Sequence, residues 1–177
     1  MTDATLTVLD QGRQLSYAFD DLMRYHGGGF PGGVAHGLKV MERALPVLSP
    51  DGPPERREIS VRTSFGGPGA RDAFEMVTRA VLEDRYLVDI GLARPERGKT
   101  LERYVFEVSY RSRKVTLIIR DGIVREEFVD LARTEGRTAE QDARLEVLKQ
   151  DMADRLLCRS AVDVYDVEVG PEVVIRS

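Results

Sequence analysis

The chain has 177 residues, 42% of them hydrophobic and 32% charged, and a formal net charge of −4. That length fits one domain with a core of its own, the acidic balance argues against a nucleic-acid partner, and no apolar run approaches the ~20 residues that span a bilayer. A single cysteine, Cys158, excludes an internal disulfide and a cysteine-rich metal cluster, and Met1 to Leu6 lacks a basic patch followed by an apolar run, so the cytoplasm is the expected compartment.

Leu6 to Leu9 reads as a short edge strand, followed by a turn at Asp10 to Arg13. Phe19, Leu22 and Met23 fall at helical spacing between Tyr17 and Tyr25, which predicts a helix delivering Tyr25 and His26 into a glycine-rich segment. From Val34 the apolar residues Leu38, Met41, Leu45 and Leu48 follow along one face of a second helix, interrupted near its end by Pro46. Its other face carries His36, Lys39 and Arg43, a face that is either solvated or borders a site. Ile59 to Thr63 alternates as a strand and enters a second glycine loop, Phe65-Gly66-Gly67-Pro68-Gly69. That loop opens a helix with the stripe Ala70, Ala73 or Phe74, Val77 and Val81.

Tyr86 to Ile90 is the next expected strand. Tyr104, Phe106, Val108 and Tyr110, a turn at Arg111 to Arg113, then Val115, Leu117 and Ile119 predict a hairpin, with Tyr104 and Tyr110 as core or interface aromatics. Helices are expected over Glu126–Glu135 and Ala139–Cys158, the second lined by Leu145, Leu148, Met152 and Leu156 and leaving Cys158 as a buried small hydrophobe. Val162 to Val169 alternates as a last strand. The resulting fold class is a single α+β domain with a mixed, mostly antiparallel sheet flanked by helices and a helical C-terminal segment.

The chemistry-bearing stretch is Tyr25-His26-Gly27-Gly28-Gly29-Phe30-Pro31-Gly32-Gly33-Val34-Ala35-His36, which holds both histidines of the chain. Glycine permits close backbone approach to a ligand, and the free N–H groups of a following helix favour anions. Two familiar strings fail here. Gly98-Lys99-Thr100 resembles the end of a P-loop, but the required first glycine is Ala93, Pro95 lies inside, and a strand is expected after it. His26-Gly27-Gly28-Gly29 matches an esterase oxyanion string without the Gly-x-Ser-x-Gly elbow that string serves.

The order of these elements resembles the FmdE-like family of formylmethanofuran dehydrogenase proteins over about residues 18 to 168. In that family a His-Gly-His-x-Cys-Pro-Gly loop precedes an amphipathic helix and a Cys-x-x-Asp-Ala segment opens another. His26, Pro31, Gly32, Asp72 and Ala73 match those motifs, whereas Gly28, Phe30 and Gly69 stand where the family has histidine or cysteine. The resemblance implies that the two loops meet and that the protein is a homodimer. The loss of three ligand positions predicts no resident metal or other cofactor, with a divalent ion at His26 as the minority alternative.

These residues suggest a small-molecule-binding protein, expected to be a cofactor-independent acid–base enzyme of the lyase, isomerase or decarboxylase class. In that reading His26 is the acid or base, Tyr25 and Asp72 orient it or carry protons, and Gly27, Gly28, Gly29, Phe30, Phe65, Gly69, Arg71 and His36 contact a small oxygenated substrate. The alternatives are a non-catalytic binding module or accessory subunit, in which His26 merely holds its loop, and a metal-binding protein like other family members.

Overall fold

A computed structural model describes residues 5–171; Met1, Thr2, Asp3 and Ala4, part of the segment read above for a leader, lie outside the described residues. In chain order the elements are β1 (Leu6–Asp10), β2 (Arg13–Tyr17), α1 (Phe19–His26), α2 (Pro31–Leu48), β3 (Ile59–Thr63), α3 (Pro68–Thr78) and β4 (Tyr86–Val88). They continue with α4 (Gly98–Leu101), β5 (Val105–Tyr110), β6 (Arg113–Ile119), α5 (Glu126–Arg133), α6 (Ala139–Leu157), α7 (Ala161–Val164) and β7 (Tyr165–Val169).

The main sheet runs β4-β3-β5-β6-β7, parallel only between β3 and β4 and antiparallel elsewhere. The parallel pair is joined through α3, the crossover that parallel neighbours require. Period-two alternation turns Ile59, Val61, Phe106, Val108, Val115, Leu117, Ile119 and Tyr165 onto one buried face, against which α2 lies. The other face carries Arg62, Glu107 and Lys114, tied by the Lys114–Glu107 pair at 3.2 Å and the Arg62–Asp89 pair. At the parallel edge, Leu87, Val88 and Ile90 are exposed. The domain is therefore α+β, with the mixed sheet expected from the sequence.

Helix α2 occupies the centre of the helical layer. It packs on α3, α6, α1 and β1 as well as on β5, β6 and β7, so every residue from Val34 to Met41 is buried. A one-faced helical wheel therefore misjudges this helix. His36 and Lys39, expected on a solvated or site-bordering face, lie inside, and Arg43 is half-buried. Pro46 is tolerated because it sits in the last turn, where its missing N–H removes a single helical bond, and its ring faces solvent.

Several boundaries differ from the sequence expectation for local reasons. The turn after β1 is tighter than Asp10 to Arg13: Gln11 and Gly12 both take positive φ, the geometry of a two-residue hairpin turn, and the Glu55 carboxylate accepts both of their N–H groups. This turn creates β2, which has too few apolar residues to be seen beforehand. Helix α3 stops at Thr78 rather than running to Val81. Arg79 adopts a left-handed conformation, and Glu75 Oε2 accepts the N–H groups of Val81 and Leu82 at 2.8 and 3.0 Å.

The last alternating segment splits, its first half coiling as α7 with the Ser160 hydroxyl bonded to Asp163 at 2.6 Å, so the strand begins only at Tyr165. A one-turn helix, α4, begins at Gly98 where a strand was expected to follow, and the Lys99 ammonium is taken up by Asp130 at 3.0 Å. Cys158 is exposed rather than buried: it caps the C-terminus of α6, two residues beyond Leu156, the final buried residue of that helix. Tyr104 and Tyr110 are buried in the core. No described helix is long and apolar enough to cross a membrane.

Candidate functional site

The two glycine loops meet through a seam of small residues. A Cβ built on Gly69 comes within 2.6 Å of the Phe30 carbonyl oxygen and 2.8 Å of the Val34 nitrogen. One built on Gly37 comes within 2.7 Å of the Ala73 Cβ. Gly33 and Gly37, one helical turn apart on α2, thus face Gly69, Ala70 and Ala73 of α3, and side chains there would force the helices apart. Gly32 is similarly closed off by Met152 of α6, with the sulfur at 2.9 Å. These four glycines serve helix packing. Gly27, Gly28 and Gly29 differ, since a Cβ at any of them meets nothing within 4 Å.

Above the seam, at the end of α1, His26 bridges the two loops. Its Nε2 lies 3.1 Å from the backbone nitrogen of Phe30, and its Nδ1 lies 2.8 Å from Oδ2 of Asp72 on α3. A backbone N–H can only donate, so Nε2 is the acceptor and is unprotonated. The neutral ring therefore carries its proton on Nδ1 and donates it to the Asp72 carboxylate. Both nitrogens are used within the protein, and the His26 side chain is only 6% exposed. The other Asp72 oxygen accepts from Arg71 at 3.1 Å.

Phe30 is 42% exposed, with the Lys149 ammonium of α6 4.6 Å from its ring centroid, a cation–π contact. The phenyl ring lies 6.0 Å from the imidazole. Tyr25, one residue before the histidine in α1, is 52% exposed. Beside the loop a cavity of about 410 Å³ is lined by Asp20, Met23, Arg24, Gly27 and Gly28, so this open space lies on the α1 side of the glycines.

Of the residues singled out from the sequence, His26, Asp72, Arg71 and Phe30 come together, with Gly27, Gly28 and Gly29 as the exposed backbone beside them. Gly69 is buried beneath them as packing. Phe65 and His36 belong to a different cluster, below α2. There His36 Nδ1 is 2.7 Å from the Tyr165 hydroxyl, and its ring centroid is 4.8 Å from that of Tyr104 and 5.8 Å from that of Phe65. His36 is fully buried, so it does not reach a ligand at the glycine loop, and burial pushes its pKa down to about 3. Its Nε2 has no hydrogen-bond partner among the described residues. Tyr104 and Tyr165 have phenol pKa values raised by the same burial.

Sequence reasoning missed Lys149, which approaches the loop from a helix more than a hundred residues away in sequence and belongs to no local motif. Among the described residues no group of three or more His, Cys, Asp or Glu side chains is disposed to hold a metal ion. The Asp72→Asn variant checks the bridge: a 1–2 kcal/mol loss of stability in denaturant unfolding is expected, roughly the size of one charge-assisted hydrogen bond, because the carboxylate acceptor becomes a neutral one. A change below about 0.5 kcal/mol, within the range of an ordinary surface substitution, would show that the carboxylate contributes little to holding His26. No family model matches the chain, and no curated protein matches it in sequence.

Proposed function

We propose that this protein is a non-catalytic small-molecule-binding module of the FmdE-like type, in which a His–Asp bridge holds the glycine loop that metal ligands would otherwise organise. The observation that carries the reading is that both imidazole nitrogens of His26 are engaged, one by Asp72 and one by the Phe30 N–H. No lone pair on that ring is left for a substrate proton or an ion. What remains available is the exposed backbone of Gly28 and Gly29, since Gly27 already donates its N–H to the Met23 carbonyl, together with the Phe30 ring and the Lys149 ammonium near it, which also pairs with Glu146. Those groups suit a small organic acid with an aromatic or branched body: N–H groups and an ammonium for the carboxylate, a phenyl face for the rest.

The 2.8 Å contact between Asp72 and Nδ1 favours a second reading, acid–base catalysis, because a carboxylate oriented on one imidazole nitrogen makes the other a better base. That role requires the Phe30 N–H to leave Nε2 first. Titration of 15N-labelled protein with benzoate and with pyruvate separates the two readings. Saturable shifts of the Gly27, Gly28, Gly29 and Phe30 amides with both probes chemically unchanged are expected. Conversion of either probe that disappears in His26→Ala establishes the enzyme, and loop amides unmoved by both probes remove the binding reading.

A further inference from the structure

We infer that the bridge at His26 is a proton-operated latch, which holds the Gly27–Phe30 loop closed while the imidazole is neutral and releases it when the ring takes up a second proton. Hydrogen-bond polarity dictates this behaviour. In the closed form Nε2 must accept, since its partner is the backbone N–H of Phe30. A proton added at Nε2 sets two donors against each other at 3.1 Å, and an attractive contact becomes a repulsive one. The other side of the ring behaves oppositely. Nδ1–H still donates to Asp72, more strongly once the ring is cationic. The ring therefore stays with α3, and the loop is the part that moves.

The surroundings fit a movable loop. Gly27 takes φ +84, a conformation open to glycine at little cost, and none of Gly27, Gly28 and Gly29 has a neighbour in the direction of a side chain. Gly27 is held to α1 by its N–H bond to the Met23 carbonyl at 2.8 Å, and the exposed Gly28 and Gly29 beyond it make the hinge. The charged groups facing the ring are Asp72 and Arg71 on α3 and, across the Phe30 ring, Lys149 on α6, itself paired with Glu146 at 2.6 Å. Arg24 on α1, the helix that ends in His26, is paired with Asp21. Asp72 is the carboxylate among these that meets the ring itself, and it sits at the end of the imidazole that does not open. Below α2, His36 is a separate titrating group.

Release frees the Phe30 N–H, which joins the exposed Gly28 and Gly29 backbone, so the binding reading above gains a pH-dependent gate. The inference rests on that reading for its use alone, because the loop motion is measured without any ligand. The experiment lowers the pH of 15N-labelled full-length protein in steps, tracking the ring resonances of each histidine and the amides of the loop. As His26 titrates, the Phe30 amide is expected to shift with the same midpoint, and its exchange protection to fall roughly tenfold, the loss of one hydrogen bond. The Val40 and Val108 amides, in α2 and β5, are expected to keep theirs.

A Phe30 amide that stays protected while His26 takes up its proton overturns the latch, and so does loss of protection in loop and core together. Either outcome leaves the benzoate and pyruvate titration free to succeed at neutral pH. Failure of that titration likewise leaves the latch measurable.

Discussion

Replacing Gly69 with alanine is expected to lower stability by roughly 2–4 kcal/mol, which for a domain of this size is a fall of about 5–15 °C in the melting midpoint. The new methyl carbon would sit 2.6 Å from the Phe30 oxygen, 2.8 Å from the Val34 nitrogen and 3.0 Å from the Gly33 carbonyl carbon. All three are main-chain atoms, so no side-chain rotation relieves the overlap, and α3 must back away from α2 along the seam. Gly66→Ala is the control. It lies in the same loop, a Cβ there meets nothing within 4 Å, and its effect should stay within about 0.5 kcal/mol. Thermal unfolding of the two variants checks the difference. Equal midpoints would show that the two helices have room to spare.

Acidification is expected to weaken the protein through His36. Its pKa falls from 6.5 to about 3 on folding because the cationic ring would be buried. The unfolded chain therefore binds the extra proton over that window and the folded one does not. Stability drops as pH falls from about 6.5 toward about 3 and levels off below, the contribution of this one group reaching at most roughly 4–5 kcal/mol. Phe65, Tyr104 and Tyr165 surround the ring and bring no charge to offset it. Several half-buried carboxylates, Asp10, Asp89 and Asp151 among them, have lowered pKa values from arginine partners or backbone N–H groups and add in the same direction. The informative quantity is thus the difference between wild type and His36→Gln. Urea unfolding at a series of pH values should give a clearly flatter dependence for the variant, and parallel curves would mean that His36 does not titrate between the folded and unfolded states.

The hairpin of β5 and β6, the strand β3 and the long helix α6 were legible in the sequence because each buries one face and exposes another, the arrangement that periodicity reports. Helix α2 broke that assumption. Buried on all sides, it hides His36 and Lys39 among residues whose spacing assigned them to an outer face. Its start at Pro31 was masked by glycines that look like loop but fit the seam with α3. The encounter of His26 with Asp72 was expected through the resemblance of the two loop segments to a known family, not through spacing, since the residues lie 46 apart in sequence. What no pattern held was the polarity of that encounter: only geometry reveals that the main-chain nitrogen of Phe30 occupies the second imidazole nitrogen. Lys149 and the burial of His36 were equally out of reach, because both depend on how distant helices dock.

The brevity of β4 bears on how the protein behaves when concentrated. A long apolar margin such as Leu87, Val88 and Ile90 begin would recruit the same margin of a neighbouring molecule and template fibrils. Here the strand ends after Val88. The Asp89 N–H makes the last ladder bond to the Thr63 oxygen, and the Arg62–Asp89 pair stands as a charged gatekeeper at the strand's end. An intruding chain finds so few free main-chain partners along this edge that lateral growth there gains little.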